Sequence, residues 1–96
     1  MNDYYVIEPC QSANGVEIKL KEKRIDLGKA EEAMMELGSV AAVSRIVLLA
    51  KVDAYNISVY GSGRVMIKSQ GRIAMDDANA LAKRIIAALE EKKAVV

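Results

Sequence analysis

Side chains able to do covalent chemistry are scarce in this chain. Histidine is absent and cysteine occurs once, at Cys10. A thiol nucleophile needs a base within hydrogen-bond reach, and no imidazole exists to serve. Cys10 therefore reads as an ordinary loop or half-buried thiol, and a single cysteine builds neither an intrachain disulfide nor a cysteine metal cluster. Carboxylates gather at Glu31, Glu32 and Glu36 and again at Asp76-Asp77. The first group shares a helical pattern with Lys29 and reads as a solvated face. The aspartates read as a helix cap. With no acidic cluster facing either group, a metal site or a paired-carboxylate acid–base site has no support. Gly61-Ser62-Gly63-Arg64 has the composition of a phosphate loop. Such loops open a helix whose N–H groups and dipole hold the anion. This one lies between two strand patterns and reads as a hairpin turn. The expectation is a non-enzymatic protein that needs no cofactor and no metal.

The chemistry that remains is that of a surface, and strands must build it. From Tyr55 to Gly71 the sequence YNISVYGSGRVMIKSQG alternates apolar and polar residues on either side of Gly61-Ser62-Gly63. That pattern predicts a hairpin. A three-residue loop pairs Val59 with Val65 and Ile57 with Ile67 on one face. The other face then pairs Tyr60 with Arg64, Ser58 with Met66 and Asn56 with Lys68. Upstream, Val43 to Val52 also has period two: Ile46, Leu48, Ala50 and Val52 point one way, and Arg45, Val47, Leu49 and Lys51 the other. A tight Asp53-Ala54 turn pairs Val52 with Tyr55, Ala50 with Ile57 and Leu48 with Val59. Three strands thus agree on one core face.

Two further strands are expected at Tyr4 to Glu8, stopped by Pro9, and at Val16 to Leu20, where Val16, Ile18 and Leu20 face inward. Cys10 to Gly15 is the polar loop between them. Two stretches instead have helical period. Leu27, Ala30, Met34 and Leu37 form one stripe, framed by Asp26 as N-cap and Gly38 as C′ residue. Ala78, Leu81, Ala82, Ile85, Ile86 and Leu89 form the second, capped by Asp76 or Asp77. Arg72 to Met75 is a connection, and Lys92 to Val96 a fraying tail. The predicted fold is α+β: a two-layer sandwich, with an antiparallel sheet of four to five strands and two helices on one face. The Val16–Leu20 strand should lie beside Val65–Ser69, with Val43–Val52 at the far edge.

Composition fits this reading. The 96 residues are 52% hydrophobic and 28% charged with one proline, as expected of one globular domain spanning 1–96. The 14 basic and 13 acidic residues leave a net charge of +1. Overall charge therefore selects neither nucleic acid nor membrane, and any basic signal must be local. No apolar run approaches a membrane span and the start is not a signal peptide, so no membrane association is expected and the cytoplasm is the default compartment.

The segment ISVYGSGRVMIKS followed by DDANALAKRIIAALE resembles one half of the TATA-box-binding protein repeat. There an apolar strand ends in an aromatic, a Ser-Gly-basic turn follows, and then come a second strand and a capped Ala/Lys/Arg-rich helix. The resemblance covers about Val16 to Glu91; small archaeal proteins of the same two-layer shape are also similar. It implies helices on one side of the sheet and a DNA-binding face on the other, with Tyr60 at one aromatic position of that face.

Both routes lead to the open sheet face. Its candidate contact residues are Arg45, Val47, Leu49, Lys51, Tyr60, Arg64, Met66 and Lys68. They set an apolar centre inside a basic rim, with no carboxylate on the meander's part of the face. Such a patch can bury against a protein, above all a second copy in a homodimer. Alternatively, Lys and Arg stems can cover it as a solvated face, or it can dock the phosphates of a nucleic acid. The expected function is a self-associating interaction domain, with nucleic-acid binding as the alternative.

Overall fold

The computed structural model describes residues 4–9, 15–69 and 75–96. The loop expected at Cys10 and the connection from Arg72 fall largely outside the described residues. In chain order the elements are β1 (Tyr5–Pro9), β2 (Gly15–Leu20), α1 (Leu27–Leu37), β3 (Ser39–Val43), β4 (Val47–Val52), β5 (Tyr55–Tyr60), β6 (Arg64–Ser69) and α2 (Met75–Glu91). The fold is α+β. Among the described residues its sheet has six antiparallel strands in the order β1-β2-β6-β5-β4-β3. The chain climbs from β1 to β2, crosses in α1 to the far edge, and returns strand by strand until β6 closes on β2.

The expected registers are met. Val52 pairs with Tyr55, Ala50 with Ile57 and Leu48 with Val59. Val59 pairs with Val65, Ile57 with Ile67 and Tyr60 with Arg64. Ile18 sits opposite Val65, which places β2 beside β6 as expected. One face of this sheet meets both helices. Val16, Ile18, Leu48, Val52, Ile57, Val59, Val65 and Ile67 pack with Ala30, Ala33 and Met34 of α1 and with Leu81, Ile85 and Leu89 of α2. Alanines at 30, 33, 78 and 82 are fully buried, and their small size brings the helix backbones close to their neighbours. No described polar or charged residue is buried, so burial of apolar area is the main source of stability, at roughly 25 cal/mol per Å².

Four sequence expectations are corrected. First, Val43–Val52 is not one strand: β3 ends at Val43 and β4 begins at Val47, so β3 rather than β4 forms the far edge. Ser44 makes the break. Its backbone N–H donates to the Val47 carbonyl at 2.8 Å. Its Oγ accepts the N–H groups of Ile46 at 3.3 Å and Val47 at 3.1 Å. A serine hydroxyl that satisfies the backbone locally competes with the ladder and turns the chain. Ile46, expected in the core, is consequently 72% exposed at the turn.

Second, Gly38 is the C-cap residue of α1 and not C′, and its φ of −169° is an extended value open to any residue. Glycine is needed there for space. A Cβ on Gly38 would lie 2.0 Å from the Lys51 carbonyl oxygen. Third, α2 begins at Met75, so Asp76 and Asp77 sit inside its first turn. There they face the positive end of the helix dipole and do not cap it. Fourth, the tail does not fray. Asp26 N–H donates to the Ala94 carbonyl at 2.7 Å, and Arg24 and Val96 exchange two bonds of 2.8 and 2.9 Å. Ala94 is fully buried. The Asp26 cap itself is as expected, its carboxylate accepting the Lys29 N–H at 3.2 Å.

Candidate partner-binding face

Alternation along each strand sends every second side chain away from the helices, and pairing lines these side chains up in rows. One row runs Val6, Lys19, Arg64, Tyr60, Val47. The next runs Glu8, Glu17, Met66, Ser58, Leu49, Ala42. The third runs Lys68, Asn56, Lys51, Ser39. No helix covers them. Leu49 is 43% exposed, and Val47, Tyr60 and Met66 are half-buried by their neighbours.

Seven of the eight expected contact residues, Val47, Leu49, Lys51, Tyr60, Arg64, Met66 and Lys68, share this face. Arg45 does not. It sits in the Ser44 turn and lines a cleft of about 780 Å³ at the end of the sheet, with Arg24, Ile46, Tyr60 and Ser62. The face also extends across β2 and β1. Glu17 lies opposite Met66, and its carboxylate takes the Arg64 Nε at 3.1 Å. Lys19 pairs with Glu8 at 3.3 Å. The signal was present: once β2 is placed beside β6, the alternation of Val16, Ile18 and Leu20 sends Glu17 and Lys19 to the open side. Arg64 also holds its guanidinium carbon 4.9 Å from the Tyr60 ring centre.

The rim is therefore of two kinds. Toward β1 its charges are paired within the face. In the row at the other end of the strands, Lys51 and Lys68 flank Asn56 and make no ion pair among the described residues. No group of three or more metal-ligating side chains occurs among the described residues. Nor does any described helix have the length and apolar character to cross a membrane. Away from the face, the Tyr4 hydroxyl donates to the Glu90 carboxylate. Partial burial, and then that bond, push the Tyr4 phenol above its ordinary range.

Comparison with protein-family models, curated proteins and solved structures gave no match. The functional reading accordingly rests on the face itself. Its rows offer apolar contact area, hydrogen-bonding groups at Ser58 and Asn56, and cations whose charge is in part already compensated. That set can dock a surface.

Proposed function

We propose that this chain is a small non-enzymatic interaction module that self-associates and offers its open sheet face to a protein partner. One observation carries this reading. Arg64, in the end row of the face, is held by Glu17 at 3.1 Å and stacked on Tyr60, while Leu49, two strands away on β4, stays 43% exposed. An arginine already paired with a carboxylate releases few counterions on meeting a phosphate, so it adds little affinity for a polyanion. Uncovered Val47, Leu49 and Met66 gain instead from burial against another apolar surface.

A second reading, nucleic-acid binding in the manner of half a TATA-box-binding protein repeat, is supported by Lys51 and Lys68 on either side of Asn56. Sedimentation velocity over a concentration series, with and without duplex and single-stranded DNA, separates the two. The module predicts a mass above the 10.4 kDa monomer that changes little with salt and is indifferent to DNA. A monomer that binds DNA with a steep salt slope overturns it.

A further inference from the structure

We infer that two copies join edge to edge along β3, in an antiparallel pairing that sets their open faces side by side. The inference rests on the self-association just proposed and names the surface that produces it.

The two edges of the sheet differ in kind. β1 carries Glu8, bridged to Lys19, and ends in Pro9. Charges and proline are the usual means of blocking strand addition. β3 reads Ser39-Val40-Ala41-Ala42-Val43 and has neither. No described backbone hydrogen bond ties β3 to anything on its outer side. Such an edge is open to a further strand.

The occupant is named by the strand's own symmetry. Ser39-Val40-Ala41-Ala42-Val43-Ser44 is a palindrome. Antiparallel pairing centred between Ala41 and Ala42 sets Val40 against Val43 of the second copy and Ser39 against its Ser44. In an ordinary strand Val40 and Val43 would face opposite sides. The register shift between Val40 and Ala42 alters this: Val40 pairs with Ala50, and Val43 with Leu48, both buried core-face residues. Both valines therefore face the helix layer and meet on one side of the paired sheets. A slip by one residue puts Val40 against Ala42, which pairs with Leu49 on the open side. One register is selected.

Apolar side chains reinforce the edge from both layers. Of the five exposed large hydrophobic residues among the described residues, Val43, Ile46 and Leu49 lie on β3, its turn and β4, and Met35 is 62% exposed on α1. Glu36 marks the α2 flank of α1, since it meets Lys92 there. Met35 is about 100° round the helix from it, on the flank away from α2. It lies in the last turn, level with the Ser39 end of β3, where Val43 of the second copy would arrive. A pairing of one short strand buries less than the roughly 1,200 Å² of a standard interface. A weak dimer, with a dissociation constant on the order of 10 μM, is expected.

The test is sedimentation velocity on the full chain and two variants. Val43→Lys changes a residue already 43% exposed and should leave circular dichroism and the urea midpoint nearly unchanged. It should raise the dimer dissociation constant by more than about tenfold by charging the edge. Met66→Asp, on β6 at the middle of the open face, should leave that constant within about twofold, being remote from the edge. A mixture of isotope-labelled and unlabelled chains should show intermolecular contacts between Val40 and Val43. Loss of the dimer in Met66→Asp but not in Val43→Lys means the copies meet face to face; the edge inference then fails while self-association stands. A wild-type chain that stays monomeric overturns both. Absence of the Val40–Val43 contact in an observed dimer overturns the edge register whatever the variants do.

Discussion

Truncating Ile57 tests the face assignment on which the site depends. Ile57 lies on β5 between Ala50 and Ile67 and is 1% exposed. Ile57→Ala removes three carbons from the core, worth about 2.4 kcal/mol at ~0.8 kcal/mol per buried methylene. A cavity term is added in proportion to the space that stays empty. Ala50 is too short to fill it and β-branched Ile67 can lean in only partly, so the total should be about 3 kcal/mol. For a domain of this size that lowers the melting temperature by roughly 12–24 °C. Met66, one position along on β6, faces the other way, between Ser58 and Glu17. Met66→Ala should cost under about 1 kcal/mol in the monomer, because its side chain is already half in water. Urea titrations followed by circular dichroism, at a concentration where the protein is monomeric, give both numbers from midpoints at constant slope. Equal costs for the two variants would refute the assignment of Ile57 and Met66 to opposite faces.

Two further outcomes follow from backbone spacing and from pH. Gly38→Ala places a methyl group 2.0 Å from the Lys51 carbonyl oxygen, so β3 must shift away from β4. A loss of more than about 2 kcal/mol in a thermal melt is expected, whereas Gly28→Ala, whose added carbon meets only the Asp26 carboxylate at 3.3 Å, should stay within about 1 kcal/mol of wild type. The Tyr4 phenol is raised by burial and by its bond to Glu90. The folded state therefore keeps this proton where the unfolded chain, with an ordinary value of about 10, loses it. Its contribution to stability is full below that value and declines as pH rises above it. Tyr4→Phe should flatten this alkaline decline, and a phenolate absorbance titration in which all four tyrosines ionise together would count against it.

Most of the sheet was legible because period-two patterns and turn lengths determine register jointly. Tyr60 opposite Arg64 and Val52 opposite Tyr55 follow from alternation and loop size alone. Helix α1 was legible for a similar reason, its apolar stripe being framed by Asp26. The break at Ser44 was not. Val43, Ile46, Val47 and Leu48 continue an apolar run across it, and the serine acts through its hydroxyl, a local bond that hydropathy does not register. The pairing of Val95 with Ile25 was hidden too, since it joins two short segments from distant parts of the chain. For the site, the meander's half of the face was visible and the β1–β2 half was inferable but not drawn. Glu17 therefore entered as a strand residue and not as the partner of Arg64. The purpose of Gly38 depends on how near β4 comes, a tertiary distance with no local signature.

The strand order carries a consequence for how the chain assembles. β3 through β6 form from neighbours in sequence, joined by short turns, and such local closures are rapid. The β2–β6 seam, by contrast, joins Ile18 to Val65 across all of α1 and the meander, and its loop-closure entropy must be met before any contact repays it. The meander is therefore expected to form first and the β1–β2 hairpin to dock last. Until it does, β6 is a bare edge. Its residues Arg64 and Lys68 put a cation near each end of that edge, where they act as gatekeepers against premature strand addition from other chains. Arg64 would then serve twice: as a guard while the seam is open, and as the partner of Glu17 once β2 closes it.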